Sequence, residues 1–150
     1  PGYADSATVT VNGGKAQTVE CGKLYRLTRM FQTGDAVTLT LDCKPFVETG
    51  YRGSACVYCG PRLMALPLPE TDAAWQYALD EATGLGVSWE GGSPRVRVDA
   101  CVAQNWSQRG GVMLPPPQGL TMGEGYELTL LPYADTLGRV AAFPQAARRA

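Results

Sequence analysis

Apolar and polar residues alternate with a period of two along much of this chain, the spacing that puts every second side chain on one face of a β-strand. From Ala7 to Asn12, Thr8 and Thr10 alternate with Val9 and Val11, which predicts a half-buried strand with both valines on one face. Asn12-Gly13-Gly14 tolerates positive φ, so the strand is expected to turn there. Leu24 to Phe31 reads as the next strand, with Tyr25, Leu27 and Phe31 on one face and Arg26, Thr28 and Met30 on the other. Arg29 falls on the apolar side. Gln32-Thr33-Gly34-Asp35 predicts a hairpin turn into Val37, Leu39 and Leu41, which alternate with Thr38, Thr40 and Asp42.

The second half carries the same signal. Ala55 to Cys59 and Leu63 to Leu66 are short apolar runs separated by Gly60-Pro61, as two strands or one kinked strand. Trp75, Tyr77 and Leu79 alternate as in a strand, a reading preferred to a short helix over Ala73 to Ala82 capped by Thr71-Asp72. Val96, Val98 and Ala100 alternate with Arg95, Arg97 and Asp99, and this strand extends through Cys101 to Ala103. Gly110 to Gly119 encloses Pro115-Pro116-Pro117, a stiff segment unable to join a ladder and expected as a surface loop. Tyr126 to Leu131 and Arg139 to Phe143 are the last strands, joined by Pro132-Tyr133-Ala134-Asp135. About eight to ten short strands with little helix predict an all-β fold, an antiparallel β-sandwich or jelly-roll-like arrangement. With no repeat or linker in sight, residues 1–144 are expected to form one domain, followed by a loose tail at 145–150.

Composition narrows the partners. With 150 residues, 45% hydrophobic and 18% charged, the chain is apolar enough to fold around a core. A net charge of −1, a pI near 5.4 and scattered Lys and Arg argue against nucleic acid or an anionic membrane as partner. No apolar run approaches the roughly 20 residues of a membrane span. The five cysteines are odd in number and no signal peptide is visible, so unpaired thiols and a cytoplasmic location are favoured. Pro1 in place of Met reads as the start of a piece of something longer. There is no histidine, which removes the commonest general base and metal ligand.

The candidate chemistry is correspondingly thin. Cys56-Val57-Tyr58-Cys59-Gly60 has the spacing of a zinc knuckle, but a tetrahedral site needs two more ligands, and only the lone Cys21, Cys43 and Cys101 remain. Burial as small apolar residues is the simpler reading, and no metal is expected. Asp80 with Glu81, or Glu124 with Glu127, could be offered as a carboxylate pair for glycoside hydrolysis, yet solvated surface charge explains them better. Trp89 and Trp106, with Tyr51 and Tyr126, are candidates for stacking on sugar rings, against the plainer reading of core aromatics. Arg29 on an apolar face needs an acceptor, Asp35 or Asp42, or a partner domain, and a buried structural ion pair is expected.

Several segments in order resemble the C-terminal region of β-L-arabinofuranosidase-type enzymes, glycoside hydrolase family 127 and relatives. Pro1-Gly2-Tyr3-Ala4 followed by Ala7 to Gly13 is similar to the family's Pro-x-aromatic-Ala step and Val-x-Val-Asn-Gly strand end. Tyr25-x-Leu27-x-Arg29-x-Phe31 and the Gly34-Asp35 hairpin resemble its aromatic-x-Ile-x-Arg-x-Trp stretch and the turn after it. Gly60-Pro61 before Leu63 and Met64 is similar to its Arg-Gly-Pro-Leu-Val strand, with Cys59 where Arg is usual. Leu130-Leu131-Pro132-Tyr133 and Arg139 to Pro144 resemble its closing segments. The resemblance implies an upstream helical toroid that carries catalysis, with a cysteine nucleophile beside zinc-binding cysteines and a glutamate. None of those roles transfers to this chain, so no catalytic residue and no cofactor is assigned to it. The expectation is a non-catalytic sandwich that packs against that upstream catalytic domain. The alternative is an independent carbohydrate-binding module using Trp106 or Trp89.

Overall fold

Threonine and valine in strict alternation satisfy both sides of a sheet, and the first strand forms from such a run. In the computed structural model, which describes residues 3–68, 76–80, 82–106, 108–109, 112–113, 116, 119–137 and 139–146, the chain is all-β and sandwich-like, with 56% of residues in strands and 5% in helix. Its contacts divide it into two units, Pro1–Lys44 and Pro45–Ala150.

The first unit is a three-stranded antiparallel sheet of β1 (Ala4–Val11), β2 (Gln17–Val19) and β3 (Val37–Cys43), with β1 in the centre. The register sets Ala7 opposite Leu41, Val9 opposite Leu39 and Val11 opposite Val37, so the apolar side chains share a face. Thr8, Thr10, Thr18, Thr38 and Thr40 take the other face. The Asn12-Gly13 turn forms as expected, with φ of 52° and 66° at the two residues.

The strand expected over Leu24 to Phe31 does not form: among the described residues this segment joins no ladder. The Gln32 to Asp35 turn closes, with the Asp35 amide donating to the Gln32 carbonyl at 3.1 Å. It does not make a hairpin, because β3 pairs with β1 instead. Alternation fixes which side chains share a face and leaves open whether a neighbour exists to pair with.

The second unit curls one sheet around a core. Its strands are β4 (Pro45–Thr49), β5 (Ala55–Cys59), β6 (Arg62–Pro67), β7 (Tyr77–Asp80), β8 (Gly86–Glu90), β9 (Ser93–Ala103), β10 (Gln108–Arg109), β11 (Val112–Met113), β12 (Met122–Pro132), β13 (Arg139–Val140) and β14 (Gln145–Ala146). The main path runs β14-β7-β9-β12-β6-β5-β4, with β13 on β6 and β8 on β9, while β10 and β11 pair separately. β12 makes the corner: Met122 to Leu130 pair with β9, and Leu131 and Pro132 pair with β6. Gly60-Pro61 resolves into a tight hairpin between two strands, with Cys59 opposite Arg62.

Phe143 closes the curl. It exchanges two backbone hydrogen bonds with Ala55 on β5, at 2.7 and 2.9 Å, and the next residue, Pro144, accepts from the Leu79 amide on β7 at 2.9 Å. The C-terminal segment therefore spans from one side of the curled sheet to the other. Inside lie Val57, Met64, Leu79, Val96, Val98, Leu130 and Phe143, all buried. Gln145 and Ala146, expected in a loose tail, instead pair in parallel with β7, and Ala146 is buried. Residues 147–150 of that tail lie outside the described residues, as does Trp75 of the strand read around Tyr77. The loop expected over 110–119 is described only in part: Val112–Met113 belong to β11 and Pro116 is exposed.

Candidate functional site

Three tight turns of the second unit meet at a cleft of about 610 Å³. The β5–β6 hairpin supplies Pro61, Arg62 and Leu63, and the β8–β9 hairpin supplies Gly91, Gly92 and Ser93. Pro132 and the 3-10 turn Tyr133–Asp135 complete the wall. Each turn is shaped by local chemistry. Gly60 sits at φ 58°, and Gly91 and Gly92 at 57° and 79°, all in the left-handed region that side chains rarely adopt. With both central residues at positive φ, Gly91-Gly92 matches the twist of a two-residue hairpin between Glu90 and Ser93. The 3-10 turn is pinned by Thr136, itself buried, whose hydroxyl donates to the Tyr133 carbonyl at 3.3 Å.

Cross-links tie the walls together. Ser93 Oγ donates to Asp135 Oδ2 at 3.0 Å, and Arg62 Nη1 donates to the Gly92 carbonyl at 3.4 Å. No ion pair to Arg62 or Asp135 is seen among the described residues, so one cationic and one anionic head line the same cleft. Tyr133 is partly exposed beside them.

The residues singled out from sequence lie elsewhere. Trp89 stands on β8 opposite Pro94 and is 57% exposed, whereas Trp106 follows β9 and is partly buried. Tyr51 is exposed in a 3-10 turn, with the Arg52 guanidinium 5.2 Å from its ring centre. Tyr126 on β12 donates to Glu124 Oε2 at 2.9 Å and meets Tyr77 edge-on at 5.9 Å. None of these four aromatics lines the cleft. Cys56 and Cys59, three residues apart on β5, point to opposite faces, so they do not converge as a knuckle requires. Cys59 faces the core, and burial pushes the Cys56 thiol up, with the Glu48 charge adding to it.

Asp80 corrects the reading of a solvated charge: it is only 8% exposed and accepts from the Ala82 amide at 3.0 Å, capping a turn. Glu81 lies outside the described residues. Glu127 lies 3.9 Å from Arg97.

The Arg29–Asp35 pair forms at 3.2 Å, but at the surface and not buried, since the Arg29 side chain is 34% exposed. Asp35 does more than receive Arg29. Asn12 Nδ2 donates to its Oδ1 at 2.7 Å and the Gln32 amide to its Oδ2 at 2.9 Å, while Asn12 Oδ1 accepts from the Ala36 amide. These donors hold the Asp35 carboxyl below the usual carboxylate range, Asn12 first, then Gln32, with Arg29 last. The contact locks the end of β1 to the start of β3. In the same unit, the apolar sheet face and the segment from Val19 to Leu27 enclose a groove of about 330 Å³.

The sequence missed the cleft because its walls are turn residues from three distant places, which read singly as punctuation. The signal was nonetheless present: Gly60-Pro61 and Pro132-Tyr133 belong to the segments that carry the family resemblance, and they meet here.

No protein-family model matches the chain, and no curated protein matches it significantly. Among solved structures it is similar to a GH127 β-L-arabinofuranosidase from Geobacillus stearothermophilus T6, at a TM-score of 0.61 and 18% identity. The likeness covers 97% of this chain and 25% of that one, so this chain spans about a quarter of that structure. At this identity the likeness shows a shared fold.

Proposed function

We propose that this chain is a non-catalytic sandwich portion of a larger glycoside hydrolase of the β-L-arabinofuranosidase type, packing against and supporting a helical catalytic domain. The observation that carries this reading is the asymmetry of the fold likeness, nearly all of this chain against a quarter of the arabinofuranosidase. The apolar groups at the surface of the first unit support it: Val37 and Leu39 on β3, and Leu24 and Met30 nearby in sequence, are all exposed. A partner domain seated there would bury them. The cysteine nucleophile and zinc implied by the resemblance belong, on this reading, to the helical partner, and this chain's cysteines serve its own packing.

A chromogenic aryl β-L-arabinofuranoside tests the reading. The isolated chain is expected to show no turnover, and a polypeptide that joins it to the helical region encoded upstream is expected to be active. Turnover by the isolated chain overturns the proposal. In the joined polypeptide, Leu39→Asp is expected to lower activity while leaving the fold of the isolated chain intact.

A second reading, an independent carbohydrate-binding module, draws on the exposed indole of Trp89. Oligosaccharide titration followed by tryptophan fluorescence decides it, since a flat response at about millimolar ligand ends the idea.

A further inference from the structure

We propose that the cleft walled by the β5–β6 hairpin, the β8–β9 hairpin and the Tyr133–Asp135 turn is a binding subsite for a neutral saccharide. The inference stands apart from the accessory role and places sugar at a different site from the Trp89 platform.

Size comes first. A cleft of about 610 Å³ lies within the roughly 300–1,000 Å³ of small-ligand sites and has room for one or two sugar rings. Rigidity comes second. All three walls are tight turns anchored by strand pairing at Cys59–Arg62, Glu90–Ser93 and Pro132–Met64, so little ordering is left to do on binding.

Charge narrows the ligand class by disfavouring simple anions and cations. Arg62 and Asp135 present one positive and one negative head to the same space, so neither an anion nor a cation gains from both. A hydroxyl group does, because it accepts from a guanidinium and donates to a carboxylate. Asp135 receives Ser93 at Oδ2, which fixes the carboxylate and points to Oδ1 as the acceptor for a ligand hydroxyl. Arg62 is exposed, and among the described residues its guanidinium makes a single long contact, 3.4 Å to the Gly92 carbonyl, which leaves donors for a ligand. Tyr133 and Pro61, both exposed, add flat apolar surface of the kind that packs on the C–H face of a sugar ring. A polyhydroxylated neutral ring meets all of these features together.

The test titrates the isotope-labelled chain with three neutral probes, methyl β-L-arabinofuranoside, methyl β-D-xylopyranoside and methyl β-D-glucopyranoside, while amide chemical shifts are followed. Sodium acetate and choline serve as charged controls. At least one glycoside is expected to shift the amides of 62–63, 91–93 and 133–135 saturably, with Kd near the millimolar range or below. Arg62→Met and Asp135→Asn are each expected to weaken that binding about tenfold or more, the scale of one hydrogen bond to a charged group. Lys15→Ala, at an exposed position that does not line the cleft, is expected to leave it unchanged. The variant spectra report folding directly, and Arg62 is a surface residue remote from the core. The proposal is overturned if no glycoside shifts these amides by about 20 mM, well past a millimolar Kd. It is equally overturned if the shifts centre on Trp89 or Trp106, if the charged controls produce the same shifts, or if both variants bind as the parent does. Turnover measurements, which decide the accessory reading, do not enter these outcomes.

Discussion

The two units are built from the same kind of strand and end in opposite conditions. Val96, Val98 and Ala100 on β9 alternate with charged residues much as Val37, Leu39 and Leu41 on β3 alternate with Thr38, Thr40 and Asp42. Yet Val98 is 1% exposed and Leu39 is 55% exposed. What separates them is closure. In the second unit the sheet turns a corner through β12 and is sealed by the segment around Phe143, so the apolar face of its central strands looks inward, while the edge strands β4 and β8 stay exposed. In the first unit three strands cannot curl round on themselves, and among the described residues only Ala4, Ala7 and Val9 are buried. Alternation decides which side chains face together, and topology decides whether that face meets anything.

Removing the seal is the harshest way to break this comparison. Phe143 is fully buried, so Phe143→Ala is expected to destabilise the second unit by about 3–5 kcal/mol, the transfer and cavity cost of a core aromatic. All three tryptophans, Trp75, Trp89 and Trp106, lie in that unit, so a denaturant titration read by tryptophan fluorescence reports on it selectively. A midpoint that hardly moves would mean that the curl holds without its seal.

Next in size is the pair that defines the contrast. Val98→Ala is expected to cost about 2 kcal/mol and Leu39→Ala less than about 1 kcal/mol, because half of Leu39 is already in water. Thermal unfolding followed by circular dichroism measures both. If Leu39→Ala costs as much as Val98→Ala, the β3 face is covered in the isolated chain and the distinction between the units fails.

The same contrast explains what could be read from the sequence. β1, β5, β6, β9 and β12 were legible because each pairs an alternating or apolar run with a glycine or asparagine turn. β2 holds one apolar residue in three, and β4 opens on Pro45 with Phe46 and Val47 adjacent, so neither shows a period of two. β8 does alternate Val87 with Trp89, but over five residues between glycines it passes for a loop. Leu24 to Phe31 erred the other way, with a strand's pattern and no ladder. The Arg29–Asp35 pair was anticipated from the face of a strand that does not form, and as a buried pair where it lies at the surface, whereas the dominant partner of Asp35, Asn12, is 23 residues away and left no local trace.

A smaller effect sharpens the comparison at acid pH, where the first unit has a named weak point. Because the folded carboxyl of Asp35 is held below its unfolded value, its contribution is present above the ordinary carboxylate pKa of about 3.9 and is lost as pH falls through the lowered folded value. The Asn12 side-chain amide and the Gln32 and Ala36 backbone amides are expected to lose their native shifts together on acid titration. Asp35→Asn should produce most of that change already at neutral pH. If the three signals titrate separately, the contact between Asn12 and Asp35 is not one unit.

The smallest effect belongs to the second unit and runs in the opposite direction. Tyr126 donates its hydroxyl to Glu124, and this hydrogen bond, followed by the Glu124 charge, holds the phenol above its ordinary value of about 10. A folded pKa above the unfolded one contributes stability that is complete below about pH 10 and is lost as pH rises through the raised folded value. Tyrosinate absorbance in the alkaline range measures it as the late-titrating component. Glu124→Ala removes both the acceptor and the charge and is expected to bring Tyr126 back close to its ordinary value. Glu124→Gln keeps an acceptor without the charge and is expected to bring it only part of the way. Should Glu124→Ala leave the titration unmoved, the hold on Tyr126 comes from burial and from the charge of the neighbouring Tyr77, which are the smaller causes here. The alkaline response of Tyr126 would then have no hydrogen-bond component, and the contrast with Asp35, whose carboxyl is held low first by its hydrogen bonds to Asn12 and Gln32, would sharpen.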